Sequence, residues 1–124
     1  MKFVILIWSN PASRALWEKI PPEDRVVGLR AYATLNDDLE ASGELVANAA
    51  LGEPSAARRV TARDGQAIVS DGPYPETKEF LAGIYLLECE SMERAVEIAA
   101  RIPEAGLGLV EVRPTRTLDS FVAP

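Results

Sequence analysis

The 124-residue chain has no histidine and one cysteine, and only 6 % of it is aromatic. Without histidine, Ser-His-Asp and Cys-His machinery and His-ligated metal sites are excluded. The single cysteine, Cys89, excludes an internal disulfide and a Cys-rich zinc site. A lone thiol suits the cytoplasm. Long apolar runs are missing too. The N-terminal run, residues 3–8, falls far short of the roughly 20 residues of a membrane span. It sits at the short edge for a signal-peptide core, and no small-residue cleavage site follows it. A cytoplasmic, membrane-free protein is expected. Cations are the minority, 13 Lys+Arg against 19 Asp+Glu, for a net charge of −6. That balance argues against nucleic acid as a partner, because phosphate binding needs a basic face. No phosphate loop, Rossmann glycine pattern or metal-ligand spacing appears, so no cofactor and no metal is implied.

What is present is ordinary globular composition, 48 % hydrophobic and 26 % charged, sufficient for one domain over residues 1–124. Residues 2–8 read as a strand that is apolar on both faces. Residues 9–12 read as a turn broken by Asn10-Pro11, and 12–20 as an irregular stretch in which Trp17 is a candidate lid over a cleft. A long helix begins near Pro21-Pro22-Glu23-Asp24, with Val26, Leu29, Tyr32, Leu35 and Leu39 as its apolar face and Gly43 as its left-handed cap. A small-residue strand, 45–51, follows. Residues 57–63 and 66–71 flank Asp64-Gly65, the dipeptide preferred by a two-residue type I′ hairpin turn. That turn sets Ala62 opposite Ala67, Val60 opposite Val69 and Arg58 opposite Asp71. After a loop over 71–80, residues 84–87 form another strand apolar on both faces. Ser91 caps a second helix with Met92, Ala95, Val96, Ala99 and Ile102 inward, stopped by Pro103. Residues 107–113 form the last strand. A C-terminal tail, 115–124, carries Leu118 and Phe121.

Strand-helix-strand thus occurs twice, at 2–51 and 84–113. Two such units describe an α+β, ferredoxin-like sandwich with an inserted β-hairpin. Both helices lie on one face of the sheet, yet the central strands are apolar on both sides. A second copy of the chain is the economical cover, which predicts a homodimer through the helix-free sheet face.

The stretch Asp71-Gly72-Pro73-Tyr74-Pro75-Glu76-Thr77-Lys78-Glu79 resembles the signature of the DGPF family, within the YCII-related group of small proteins. An Arg-Asp-Gly hairpin before it, Gly83-Ile84-Tyr85-Leu86-Leu87-Glu88 after it and Glu111-Val112-Arg113-Pro114 at the end extend the resemblance over roughly residues 2–114. The resemblance implies a dimeric ferredoxin-like α/β barrel whose members often sit beside extracytoplasmic-function sigma factors in genomes. It carries no established activity. Where relatives often have His-Gly before the last strand, this chain has Leu107-Gly108, so no histidine chemistry carries over.

Asp71, Gly72, Pro73, Tyr74, Glu76, Thr77 and Lys78 are the candidate ligand-binding residues. Three readings of Asp71 and Glu76 stand. They form a carboxylate pair for acid-base work or a cation, or Asp71 pairs with Arg58 across the hairpin while Glu76 caps or steadies the loop near Lys78, or the motif shapes a pocket floor without reacting. Tyr74, stiff between two prolines, lines a pocket or plugs the loop. Tyr32 and Tyr85 read as core or interface, and Cys89 as inert. The expected function is a dimeric module that binds a small molecule or regulates. The alternatives are an enzyme with a carboxylate site around Asp71 and Glu76, and an interaction subunit serving a sigma-factor-type regulator.

Overall fold

The structure is a computed structural model that describes residues 1–72 and 78–122. Among the described residues six strands and three α-helices form in chain order: β1 (Lys2–Ser9), α1 (Pro11–Lys19), α2 (Pro22–Ser42), β2 (Leu45–Ala50), β3 (Arg58–Arg63), β4 (Gln66–Asp71), β5 (Phe80–Glu88), α3 (Met92–Ala99) and β6 (Val110–Pro114). One sheet runs β2-β5-β1-β6 with every neighbour antiparallel, and β3-β4 pair only with each other. With the hairpin set aside, this is the strand order of a ferredoxin-like α+β sandwich. No helix among the described residues is long and apolar enough to cross a membrane.

Alternation decides which side chains enter the core. Phe3, Ile5 and Ile7 of β1 and Tyr85 and Leu87 of β5 are buried together under the helices. Leu35 and Leu39 of α2 and Ala95, Ile98 and Ala99 of α3 close over them. At the edge of that core the Tyr85 hydroxyl donates to Asn36 of α2, which also accepts from the Asn48 amide of β2 at 3.2 Å. The opposite face of the central strands carries Val4, Leu6, Ile84 and Leu86, paired across the register and only half-buried.

Several elements differ from the sequence reading. Residues 11–19 are helical, not a turn and an irregular stretch. Asn10 is a cap rather than a breaker: its Oδ1 accepts from Ser13 N at 2.8 Å, and Ser13 Oγ accepts from Asn10 N at 3.1 Å. Pro11 then occupies a first-turn position, where its missing N–H costs nothing. The apolar face expected along α2 holds only in its C-terminal half; Val26 and Leu29 are exposed. In α3, Ile98 is buried and Val96 is half-exposed, because the helix turns its 95–98–99 edge to the sheet. Leu107 belongs to a 3₁₀ turn, Pro103–Leu107, and the last strand starts at Val110. The tail forms a 3₁₀ turn, Leu118–Phe121, with Leu118 exposed and Phe121 stacked on Arg116 at 3.7 Å. Other expectations hold, including Gly43 as the left-handed cap at φ +78° and Ser91 as the cap of α3.

The inserted hairpin has the expected register throughout, from Arg63–Gln66 to Arg58–Asp71. Asp64 and Gly65 have φ of +52° and +78°, as a type I′ turn requires. Apart from half-buried Arg59, every β3 and β4 residue is exposed. A two-stranded ribbon with so little cover is marginal by itself. Gly65→Val therefore acts locally: a β-branched residue at positive φ costs about 1–2 kcal/mol. Amide exchange in β3 and β4 should speed up roughly 5- to 30-fold while β5 amides stay unchanged.

One ion pair ties the layers together. Arg94 of α3 forks onto Glu44, just before β2, through Nε at 2.9 Å and Nη2 at 2.8 Å. Arg94's hydrogen bonds hold the Glu44 carboxyl below its ordinary 4.5. A lowered folded value means that Glu44 adds stability above its unfolded value and loses it as pH falls through the folded one. Urea midpoints of wild type and Arg94→Met should differ at neutral pH and converge in strong acid; a gap constant with pH would refute the linkage.

Candidate functional site

One end of the sheet is open, where β1 and β2 finish and β5 begins. α1, the N-terminal half of α2 and the Pro103–Leu107 turn stand around it and enclose a cleft of about 550 Å³. Its lining explains most of the large apolar side chains that the helices leave outside the core. Leu16 and Trp17 of α1, Val27 and Leu29 of α2, Leu51 and Leu107 are each 45–66 % exposed, and all face this one space. Trp8 and Phe80, from the ends of β1 and β5, add aromatic surface.

The polar content is small and specific. Tyr32 of α2 donates its hydroxyl to the Glu104 carboxylate, 2.7 Å from Oε1 and 2.5 Å from Oε2. Burial, and after it the Glu104 carboxylate, push the Tyr32 phenol far above its ordinary range, so it stays a neutral donor. Arg14 is neutralised by Glu53 at 2.6 Å and lies over the Phe80 ring at 5.6 Å. Arg25 donates to the carbonyls of Ile20 and Glu18, closing the C-terminal end of α1, and lies over Trp17 at 5.2 Å. The Trp8 indole N–H is taken by Glu111 at 3.1 Å.

Of the candidate residues from the sequence, Asp71, Gly72 and Lys78 are described. Asp71 ends β4 with its side chain 94 % exposed and 3.6 Å from Arg58 Nε. Gly72 has φ +155°, and a Cβ there would stand 2.9 Å from Arg59 Cδ, so the position is reserved for glycine. Lys78 is exposed. Pro73, Tyr74, Glu76 and Thr77 lie outside the described residues. Asp71, Gly72 and Lys78 do not line the cleft. Tyr85 is core, and Tyr32 packs against the core and also lines the cleft. Trp17 does border a cleft, on a helix rather than on an irregular lid. Cys89 is buried, and burial raises its thiol, which suits an inert residue. Sequence reasoning missed Arg14, Phe80 and Glu104. The Asn10-Pro11-x-Ser13 cap was the available signal for α1 and hence for Arg14; nothing marked Glu104, one residue beyond a helix-stopping proline.

The model of the YCII-related domain matches residues 1–119. Among curated proteins, the chain is 33 % identical over 116 residues to the uncharacterized protein R00369 of Rhizobium meliloti (strain 1021), covering 92 % of this chain and 91 % of that one. Among solved structures it is similar to 5-chloro-2-hydroxyhydroquinone dehydrochlorinase (TftG) from Burkholderia phenoliruptrix AC1100, in complex with 2,5-dihydroxybenzoquinone. That likeness has a TM-score of 0.47 and 16 % identity, and it covers 97 % of this chain and 98 % of the other. At that level it carries no inference about function.

Proposed function

The chain belongs to the YCII-related domain family, and on that premise we propose that it is a small-molecule-binding protein acting through the cleft at the open end of its sheet, as a homodimer. The observation that carries the binding reading is that six large, exposed apolar side chains, Leu16, Trp17, Val27, Leu29, Leu51 and Leu107, gather around this one space. Contiguous exposed apolar surface marks a binding groove or an interface. About 550 Å³ falls within the range of small-molecule pockets, roughly 300–1,000 Å³, and an apolar lining with few placed polar groups is their usual make-up. The carboxylate alternative around Asp71 and Glu76 has less behind it, since Asp71 stands in solvent beside Arg58.

A panel of compact aromatic compounds in a thermal-shift assay tests the binding reading. A compound at about 100 times its Kd adds roughly 2.7 kcal/mol to the folded state, a shift of several degrees. Leu29→Asp should abolish it by putting a charge in the apolar wall. A panel without a single shift would count against the cleft as a binding site.

The dimer rests on Val4, Leu6, Ile84 and Leu86, an apolar face with no helix over it. Burial there is worth about 25 cal/mol per Å² of apolar surface, and a stable interface needs at least ~1,000 Å² in total. Light scattering should give twice the chain mass of 13.5 kDa for wild type and the single-chain mass for Leu6→Asp, with unchanged circular dichroism. A wild-type monomer at micromolar concentration would overturn the dimer.

A further inference from the structure

Resting on the reading that this cleft binds a small molecule, we infer that it selects an organic cation: a protonated amine or nitrogen base on an apolar, aromatic body, received by Glu104. The lining carries one cation, Arg14, against four carboxylates, Glu18, Asp24, Glu53 and Glu104, among the described residues. Arg14 is cancelled by Glu53. Glu104 has no Lys or Arg partner among the described residues; its hydrogen-bond partner is the Tyr32 hydroxyl.

A carboxylate offers about four acceptor sites, and a single hydroxyl proton, shared between its two oxygens, leaves most of them open. Two of the cleft's donors are taken: the Tyr32 proton goes to Glu104 and the Trp8 indole N–H to Glu111. The Arg14 guanidinium has its charge offset by Glu53 at 2.6 Å. An entering carboxylate or phosphate would meet four carboxylates against that single offset cation. An ammonium group, which has only donors, meets the complementary arrangement. The apolar body has its own surface in Trp8, Trp17, Leu29 and Phe80. Phe80 and Trp17 already face the guanidinium groups of Arg14 and Arg25. The ligand's charge therefore belongs at Glu104 and its rings at the walls.

Three isosteres that differ only in their head group test this by calorimetry on the intact protein: 2-naphthylmethylamine, 2-naphthylmethanol and 2-naphthoate. At neutral pH the amine should bind at least about tenfold tighter than the alcohol, since both can donate a hydrogen bond to Glu104 but only the amine adds the attraction of opposite charges. The naphthoate should bind weakest. Raising the salt should narrow the gap between amine and alcohol. Glu104→Gln, which keeps an acceptor for Tyr32, should bring the amine-to-alcohol ratio close to one. Equal affinities for all three, or a preference for the naphthoate, would overturn the charge selectivity and leave the binding reading standing. An undiminished preference in Glu104→Gln would overturn the assignment to Glu104. If none of the three binds at millimolar concentration, both readings fall. The wild-type ranking and its salt dependence decide the charge selectivity even if the Gln variant does not fold, and Glu104→Ala then tests the assignment to Glu104 by the same ratio.

Discussion

The molecule is shaped by a mismatch of lengths. Helix α2 has 21 residues, about 31 Å at 1.5 Å per residue. The edge strand it leads into, β2, has six, about 20 Å at roughly 3.3 Å each. About two turns of the helix outrun that edge strand. Leu35 and Leu39, over the sheet, are buried, while Val27 and Leu29, past its end, are exposed. Helix α1 and the Pro103–Leu107 turn stand around that overhang without filling it. The cleft is therefore a product of the fold's geometry: the same helix that closes the core also roofs the opening beside it.

The sheet has a parallel asymmetry. Its central strands are apolar on both faces, but the chain supplies two core helices, α2 and α3, and both lie on one side. The third helix, α1, has no buried residue and contributes to the cleft instead of the far face. Val4, Leu6, Ile84 and Leu86 thus stay half-buried within the single chain. Our proposal of a second copy meets this need, and it leaves the cleft, at the end of the sheet, as a separate feature of each chain.

Much of the fold was legible because it rests on local rules. Short runs apolar on both faces located β1 and β5, and Asp64-Gly65 fixed six cross-strand pairs of the hairpin. Gly43 and Ser91 marked their helix ends. Asn10-Pro11 misled because the same dipeptide serves as a turn and as a cap followed by a first-turn proline; the reciprocal bonds with Ser13 decide between them. The site was far less legible. Periodicity places Val26 and Leu29 on the same stripe as Leu35 and Leu39, and it cannot tell where the sheet beneath that stripe stops. The Tyr32–Glu104 pair spans 72 positions in the chain and belongs to no short motif. Conversely, the most distinctive local pattern, beginning at Asp71-Gly72, has a conformational explanation at Gly72, where a side chain would collide with Arg59.

The chain contains two tryptophans, Trp8 and Trp17, and both border the cleft. Neither lies among the buried residues under α2 and α3. Tryptophan emission from this protein is consequently a signal from one end of the sheet, whereas backbone circular dichroism averages over every element. An unfolding curve followed by emission is a curve for the frame of the cleft. Any offset between the two midpoints measures how much less firmly that frame is held than the core, since elements with little buried surface open at lower free energy than the whole domain.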